Sequence, residues 1–286
     1  MAVKELFKIK RVTSGNLELE AVAEALQIKD ISIISPAAMT DYVKVQIEKT
    51  YMNVIPVHLL LPHIYGGKHK SLFDYLREKI PEIPNYKVLN GEKFTIEPSG
   101  SYSYLEAIYS EHTPDEFGAG EPGTRTSDTK LFCMTMYNSS EISSTGWVQP
   151  DARLEPEITP SFPHFDRIPA NREVLLAGIA AYTTSNGSTK PVYLRIWDEE
   201  KVLFDDDRYG FLIDPTVFNE LNAYDQITTA GGTGYAVNFF RFDEPLVLGP
   251  QRKYTFEVYV EYDGTNALPV KGFMITLLGL IRPPAR

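Results

Sequence analysis

Four short blocks of this 286-residue chain occur twice, in the same order. Tyr42–Ile47 matches Pro191–Ile196, and both alternate apolar and polar residues, the period of a half-buried strand. Leu72–Leu76 matches Val217–Leu221, and each reads as a short helix. Ser71 can cap the first; Asp214 can cap the second, with Pro215 at its first helical position, and Pro81 stops the first. Phe94–Pro98 followed by Tyr102 and Tyr104 matches Leu246–Pro250 followed by Tyr254 and Phe256, a strand, proline turn and strand in each case. Lys130–Met136 matches Lys271–Leu277. The offsets are 149, 145, 152 and 141 residues, a scatter that loop insertions and deletions produce. Ordered self-similarity is the mark of a repeated architecture. The reading is internal duplication, with convergence on one architecture as the alternative.

The fold class expected is all-β with minor α, built as two tandem antiparallel jelly-roll or β-sandwich domains. The 17 Tyr and 15 Phe suit pleated, half-buried surfaces, and the 20 Pro and 19 Gly imply many turns. The division is an N-terminal arm at 1–29, a first β domain at 30–145, a strap at 146–171 and a second β domain at 172–286. Within the arm, Leu19, Val22, Ala23 and Leu26 recur at helical spacing, which predicts a helix near 17–27; a strand at Leu17–Glu20 is the alternative. Pro150, Pro156, Pro160, Pro163 and Pro169 with Trp147, Phe162 and Phe165 predict an ordered strap packed on the domains. Residues 31–140 and 172–285 should superpose, with Tyr102 and Tyr254 in equivalent strands.

A formal charge of −10 argues against a broad nucleic-acid-binding face. The acidic balance lies in the body, because Lys4, Lys8, Lys10, Arg11, Arg282 and Arg286 gather at the two ends. The start lacks the apolar region of a signal peptide, and the longest apolar runs, Val174–Tyr182 and Met274–Ile281, are too short for a spanning helix. Cys133, the only cysteine, sits in an apolar run and reads as a buried small hydrophobe; synthesis in a reducing cytoplasm follows. The sequons at Asn138 and Asn186 read as chance. His58, His63 and His69 lack metal-ligand spacing, His112 and His164 stand alone, and no nucleophile elbow is present. Gly231–Gly234 reads as a turn before a strand, not a phosphate cradle, and Asp205, Asp206 and Asp207 with Asp198, Glu199 and Glu200 as a solvated acidic loop more than a calcium site. Trp147, Trp197 and the tyrosines fit either a sugar-binding platform or sandwich packing. No catalytic, metal or cofactor residue is assigned, and the chain is read as a structural protein, not an enzyme.

The order strand, strand, short helix, strand, proline turn, strand, present twice from about residue 30 to the end, resembles the double jelly-roll capsid proteins of membrane-containing icosahedral viruses. That resemblance implies a virion shell protein forming homotrimers with a pseudo-six-fold outline, strands upright to the shell and no catalytic residues. Its partners would be itself, other virion proteins, and an anionic membrane or nucleic acid at the basic termini. The alternatives are a head-decoration, vertex or tail protein, or a carbohydrate-binding β-sandwich adhesin. Both termini should lie on one inward face, with the acidic 113–129 and 198–207 loops on the opposite face; the alternative is that terminal charge is arbitrary.

Overall fold

The computed structural model describes residues 6–61, 63–65, 68–70, 72–81, 85–113, 129–158, 167–184, 189–203, 210–214 and 236–284. In the first half the strands are β1 (Phe7–Val12), β2 (Leu17–Glu20), β3 (Ala25–Ile34), β4 (Tyr42–Ile47) and β5 (Thr50–Pro56). A 3-10 turn at Val57–Leu59 follows, then a hairpin of β6 (His63–Tyr65) and β7 (Lys68–Lys70), and α1 (Leu72–Lys79). The half closes with β8 (Tyr86–Val88), β9 (Lys93–Pro98) and β10 (Tyr104–His112). The second half holds β11 (Lys130–Tyr137), β12 (Gly146–Val148), β13 (Ala152–Arg153), β14 (Glu173–Thr183) and β15 (Lys190–Asp198). It continues with β16 (Lys201–Val202), β17 (Phe211–Leu212), β18 (Ala236–Leu248), β19 (Tyr254–Glu261) and β20 (Phe273–Arg282). The described chain is all-β apart from the one helix and the one 3-10 turn.

The strands form four antiparallel sheets and the small hairpin. Sheet I runs β1-β10-β3-β8 and sheet II β2-β9-β4-β5. Sheet III runs β13-β11-β20-β14-β18, and sheet IV β12-β19-β15-β16 with β17 also on β15. With β13 set aside, the order of sheet III follows that of sheet I, and the order of sheet IV follows that of sheet II. In both halves most successive strands cross between the two sheets, whereas β4 and β5, and likewise β15, β16 and β17, stay in one sheet.

Alternation along each strand explains why two sheets stack. In β4, Val43, Val45 and Ile47 are buried while Lys44 and Gln46 stay half-exposed; in β19, Tyr254, Phe256, Val258 and Val260 turn inward. Sheet III breaks this rule. Its strands β14 and β20 are buried almost throughout, because both faces are covered. Phe132, Met134, Leu176, Ile179, Ile275 and Leu277 point into the core of the second half. Leu131, Cys133, Leu175, Ala180, Tyr182, Met274, Leu278 and Leu280 point the other way, into one cluster with the core of the first half. Each leucine or methionine among them, returned to water, costs about 1.5–3 kcal/mol, so the halves behave as one packed body. The apolar runs at Val174–Tyr182 and Met274–Ile281 are these two strands.

Named contacts tie the halves. Asn53 on β5 donates to the Leu131 carbonyl at 3.1 Å and accepts from the Tyr86 hydroxyl at 2.6 Å. Glu155, just after β13, accepts from the Tyr42 hydroxyl and lies 3.6 Å from Lys44 Nζ. Where β20 crosses the β14 bulge, a Cβ on Gly279 would stand 1.9 Å from the Leu175 carbonyl oxygen, so only glycine fits.

Several expectations change. Leu17–Glu20 is strand β2, the alternative reading, and Leu26 lies in β3; no helix occupies 17–27. Leu19 and Leu26 are buried by strand alternation and Val22 is 76% exposed, so their helical spacing was incidental. The segment expected as an arm therefore supplies β1 and β2 to the sheets of the first half. Strands within 7–112 pair only with one another, as do those within 130–282, so strand pairing divides the chain in the 113–129 region and not at the strap. The strap contributes β12 to sheet IV and β13 to sheet III, and its Leu154 is buried in the shared cluster.

Among the repeat blocks, Tyr42–Ile47 and Pro191–Ile196 occupy corresponding places, third in sheets II and IV. Lys130–Met136 and Lys271–Leu277 do not: the first lies in β11 and the second runs into β20 from Phe273, neighbours in sheet III, with Met134 opposite Leu277. Their likeness reflects shared double burial. The Tyr102 and Tyr254 blocks are also one strand out of step, since Tyr102 precedes β10 of sheet I whereas Tyr254 opens β19 of sheet IV. A strand, proline turn and strand marks any crossing between stacked sheets and does not say which crossing. Leu72–Leu76 lies in α1, while Val217–Leu221 and Ser71 fall outside the described residues.

Candidate interaction surfaces

The chemistry-bearing side chains are mostly built into the scaffold. His58 is buried, with Nδ1 3.3 Å from the Met39 carbonyl, and Val57, His58 and Leu59 are all buried in a 3-10 turn. His112 Nε2 meets Ser110 Oγ at 2.7 Å. His63 and His69 sit on the two strands of the β6–β7 hairpin, and His164 lies outside the described residues. No group of three or more His, Cys, Asp or Glu side chains among the described residues is placed to hold a metal. Burial raises the Cys133 thiol to about 12, which keeps it protonated and unreactive in the native protein. Asn138 is buried, donates to the Ser140 and Pro269 carbonyls and accepts from the Phe273 amide, so its sequon is not presented for modification. Asp198 pairs with Arg252 and Glu199 accepts from the Lys253 amide; Asp205, Asp206, Asp207, Asn186 and Gly231–Gly234 lie outside the described residues. No helix among the described residues is long and apolar enough to cross a membrane.

Two surfaces stand out. The first is the outer face of sheet I. Phe7, Ile9 and Arg11 on the edge strand β1 face outward beside Ile108 and Glu106, and Tyr104 pairs with Ile34. Phe7 is 57% and Ile9 61% exposed, and Ile34 and Tyr104 are also exposed. The corresponding face of sheet III is covered by the first half. Lys8 and Lys10 alternate with the apolar pair and point toward the sandwich side, a device that discourages edge-to-edge strand pairing.

The second is the outer face of sheet IV. Trp147, Tyr193, Trp197 and Tyr259 share it with Arg195 and Glu257. The Arg195 guanidinium lies 3.9 Å from the Trp147 ring centre and 5.7 Å from that of Trp197. Trp197 Nε1 donates to Glu257 at 2.6 Å, and Trp147 meets Tyr259 edge-on at 5.3 Å. The corresponding face of sheet II carries Lys44, Gln46, Thr95 and Glu97 with Tyr51 opposite Gln46, and so is less aromatic.

Strand directions place the chain ends. Asn53 meets Leu131 near the start of β11, whereas His58, beyond the end of β5, stacks on Tyr182, level with Met274 and hence with Tyr137 at the end of β11. Strands β5 and β11 therefore run the same way. Thr50 pairs with Ile47, Ile47 with Phe94 and Phe94 with Leu19, which puts the start of β5 at the end of the sandwich where β1 begins. Strand β20 finishes where β11 starts, with Ile281 opposite Lys130. Phe7 and Arg282 thus lie at one end of the molecule.

The acidic turn after β15 lies at that end too, not opposite: Asp198 faces Tyr254, which follows Leu248, the partner of Val174. The flanks of the 113–129 loop, His112 and Lys130, are also there; the loop itself lies outside the described residues except at its margins. Three of the four terminal cations among the described residues, Lys10 apart, are engaged in ion pairs. Lys8 pairs with Glu111, Arg11 with Glu106 at 2.5 Å and Arg282 with Glu173 at 2.8 Å, while Lys4 and Arg286 are outside the described residues.

Neither surface announced itself as a unit. Phe7 and Ile9 were hidden inside a segment read for its charge, and the aromatic face is drawn from three strands far apart in sequence. No known family model matches this chain, and no curated protein is significantly similar to it.

Proposed function

We propose that the chain is a structural shell subunit of a virion, two jelly rolls derived from one, which assembles as a homotrimer. The observation that carries this reading is the strand order. Eight strands divided between two stacked four-stranded sheets make a jelly roll, an architecture used by viral capsid and lectin domains. The matching orders of sheets I and III, β13 apart, and of sheets II and IV, β17 apart, support that reading. Two such units fused through a doubly buried sheet form a stiff block, suited to tiling a surface. The shared end of the two termini supports strands standing across a shell, with both chain ends on one side. The paired state of Lys8, Arg11 and Arg282 weakens the further idea that these residues bind phosphates.

Light scattering on the purified chain, followed by electron microscopy, tests the reading. A trimer at micromolar concentration, or particles with a near-hexagonal subunit outline, is expected. A stable monomer at all accessible concentrations overturns it.

A carbohydrate-binding β-sandwich is the second reading, favoured by the aromatic face of sheet IV. Sugar rings stack on such faces while carboxylate and guanidinium groups take their hydroxyls. A glycan array that returns binding lost in Trp197→Ala would support it; an empty array counts against it.

A further inference from the structure

We propose that His58 makes the contact between the two halves sensitive to acid: the contact is closed while the imidazole is neutral, and protonation of the ring favours its opening. The turn that carries His58 belongs to the first half, where its backbone is fixed. The Val57 amide donates to the Asp41 carbonyl at 3.0 Å, and the Leu60 carbonyl accepts from the Ile33 amide at 2.9 Å. Toward the second half the turn offers side chains, and the imidazole lies flat on the Tyr182 ring of β14. His58 Nδ1 is 3.3 Å from the Met39 carbonyl. A carbonyl only accepts, so Nδ1 carries the proton of the neutral ring. A second proton would set a full positive charge among Met39, Val57, Leu59 and Tyr182, none of them more than 3% exposed. His58 itself is 0% exposed, so water cannot solvate that charge while the contact is closed.

Among the described residues, the ionisable groups on the elements that meet there are few. Asp41 and Tyr42 lead into β4, Tyr182 lies on β14, and Tyr137 ends β11 with Lys271 Nζ 5.4 Å from its ring centre. Glu155 and Lys44 flank Tyr42. The two carboxylates are held by other donors: Asp41 accepts from the Ala38 amide at 3.3 Å, and Glu155 from the Tyr42 hydroxyl. The face of the Tyr182 ring attracts a cation, but a ring face returns less than the loss of hydration takes away. In an open chain an imidazole takes up its proton near pH ~6.5. Below that pH the closed contact binds fewer protons than the open one. Its stabilisation is therefore complete above about 6.5 and is lost as the pH falls. For a ring that stays neutral while closed, the opening constant rises about thirty-fold between pH ~7.5 and pH ~5.

The test uses the full chain. His58→Phe keeps a ring against Tyr182 and cannot take a proton. Equilibrium unfolding of wild type and variant at the two pH values gives a ratio of unfolding constants in which every other titrating group cancels. That ratio, wild type over variant, should rise about thirty-fold on acidification. A merely structural ring changes stability equally at both pH values, so a constant ratio overturns the proposal. Should His58→Phe fold poorly, imidazole NMR of the wild type gives the second measurement. One ring, shifted by the stacked phenol, should stay neutral down to about pH 5 while the fold persists. A shifted ring that titrates with the others near pH ~6.5 in the folded protein overturns the proposal as well.

Discussion

The imidazole of His58 is stacked on the phenol ring of Tyr182, with ring centres 4.8 Å apart and planes 13° from parallel. One ring belongs to the turn after β5 and the other to the middle layer, sheet III, so the stack joins the two halves inside a cluster that neither half completes alone. Tyr182 is fully buried and among the largest side chains in that state. Replacing it with alanine should cost about 3–5 kcal/mol, the range for large aromatic truncations. Denaturant titration should still show one transition in wild type, because the cluster couples the halves. Two well-separated transitions would contradict that coupling.

Asn53 satisfies two buried groups at once, the Leu131 carbonyl and the Tyr86 hydroxyl. Asn53→Ala strands both, at roughly 1–3 kcal/mol each. Tyr86→Phe removes one of the stranded groups, so the double variant should lose less than the sum of the two singles. A double-mutant cycle by equilibrium unfolding measures this, and strict additivity would mean the bond contributes nothing.

Two glycines should behave differently. Gly279→Ala places a methyl 1.9 Å from the Leu175 carbonyl oxygen at the heart of sheet III, where neither backbone can yield. The loss should exceed the roughly 0.5–3 kcal/mol of ordinary substitutions, and soluble yield should fall. Gly91 has φ +82° with open space around it, so Gly91→Ala should cost only about 1–2 kcal/mol of backbone strain. Thermal melts of the two variants decide the order.

Cys133 should be silent to thiol reagents in the native state and react only on unfolding. Its thiol is raised from 9.0 to about 12 by burial. A raised value means that the folded form holds its proton where the unfolded form has lost it. The contribution to stability is complete below 9.0 and is lost as the pH climbs toward about 12. Cys133→Ala should therefore show a shallower alkaline decline than wild type in stability-versus-pH curves. Parallel curves would contradict the burial.

Much of the fold was legible along the chain. The alternation in Tyr42–Ile47 and Pro191–Ile196 identifies β4 and β15 and their buried faces, because the strand period of two is a local property of the backbone. The helix at Leu72 and its end before Pro81 were legible for the same reason. Leu17–Glu20 was harder, since in Leu17–Leu26 the apolar residues fall at spacings that both periods accommodate. The aromatic face was only half legible: Trp147 and Trp197 were visible as aromatics, but not that Arg195 lies between them.

What the sequence determined by itself is the class: strands of period two, turns at prolines, and a mainly β chain with a minor helical part. Which strands pair was decided only by the tertiary structure. Lys130–Met136 resembles Lys271–Leu277 because both are buried on two faces, and that double burial exists only once the first half has packed on sheet III. A hydrophobic pattern records how many faces of a strand are buried, not against what. The pairing of β11 with β20 rests on contacts more than a hundred residues apart, such as Thr135 with Thr276 at 2.9 Å, and no local preference encodes them.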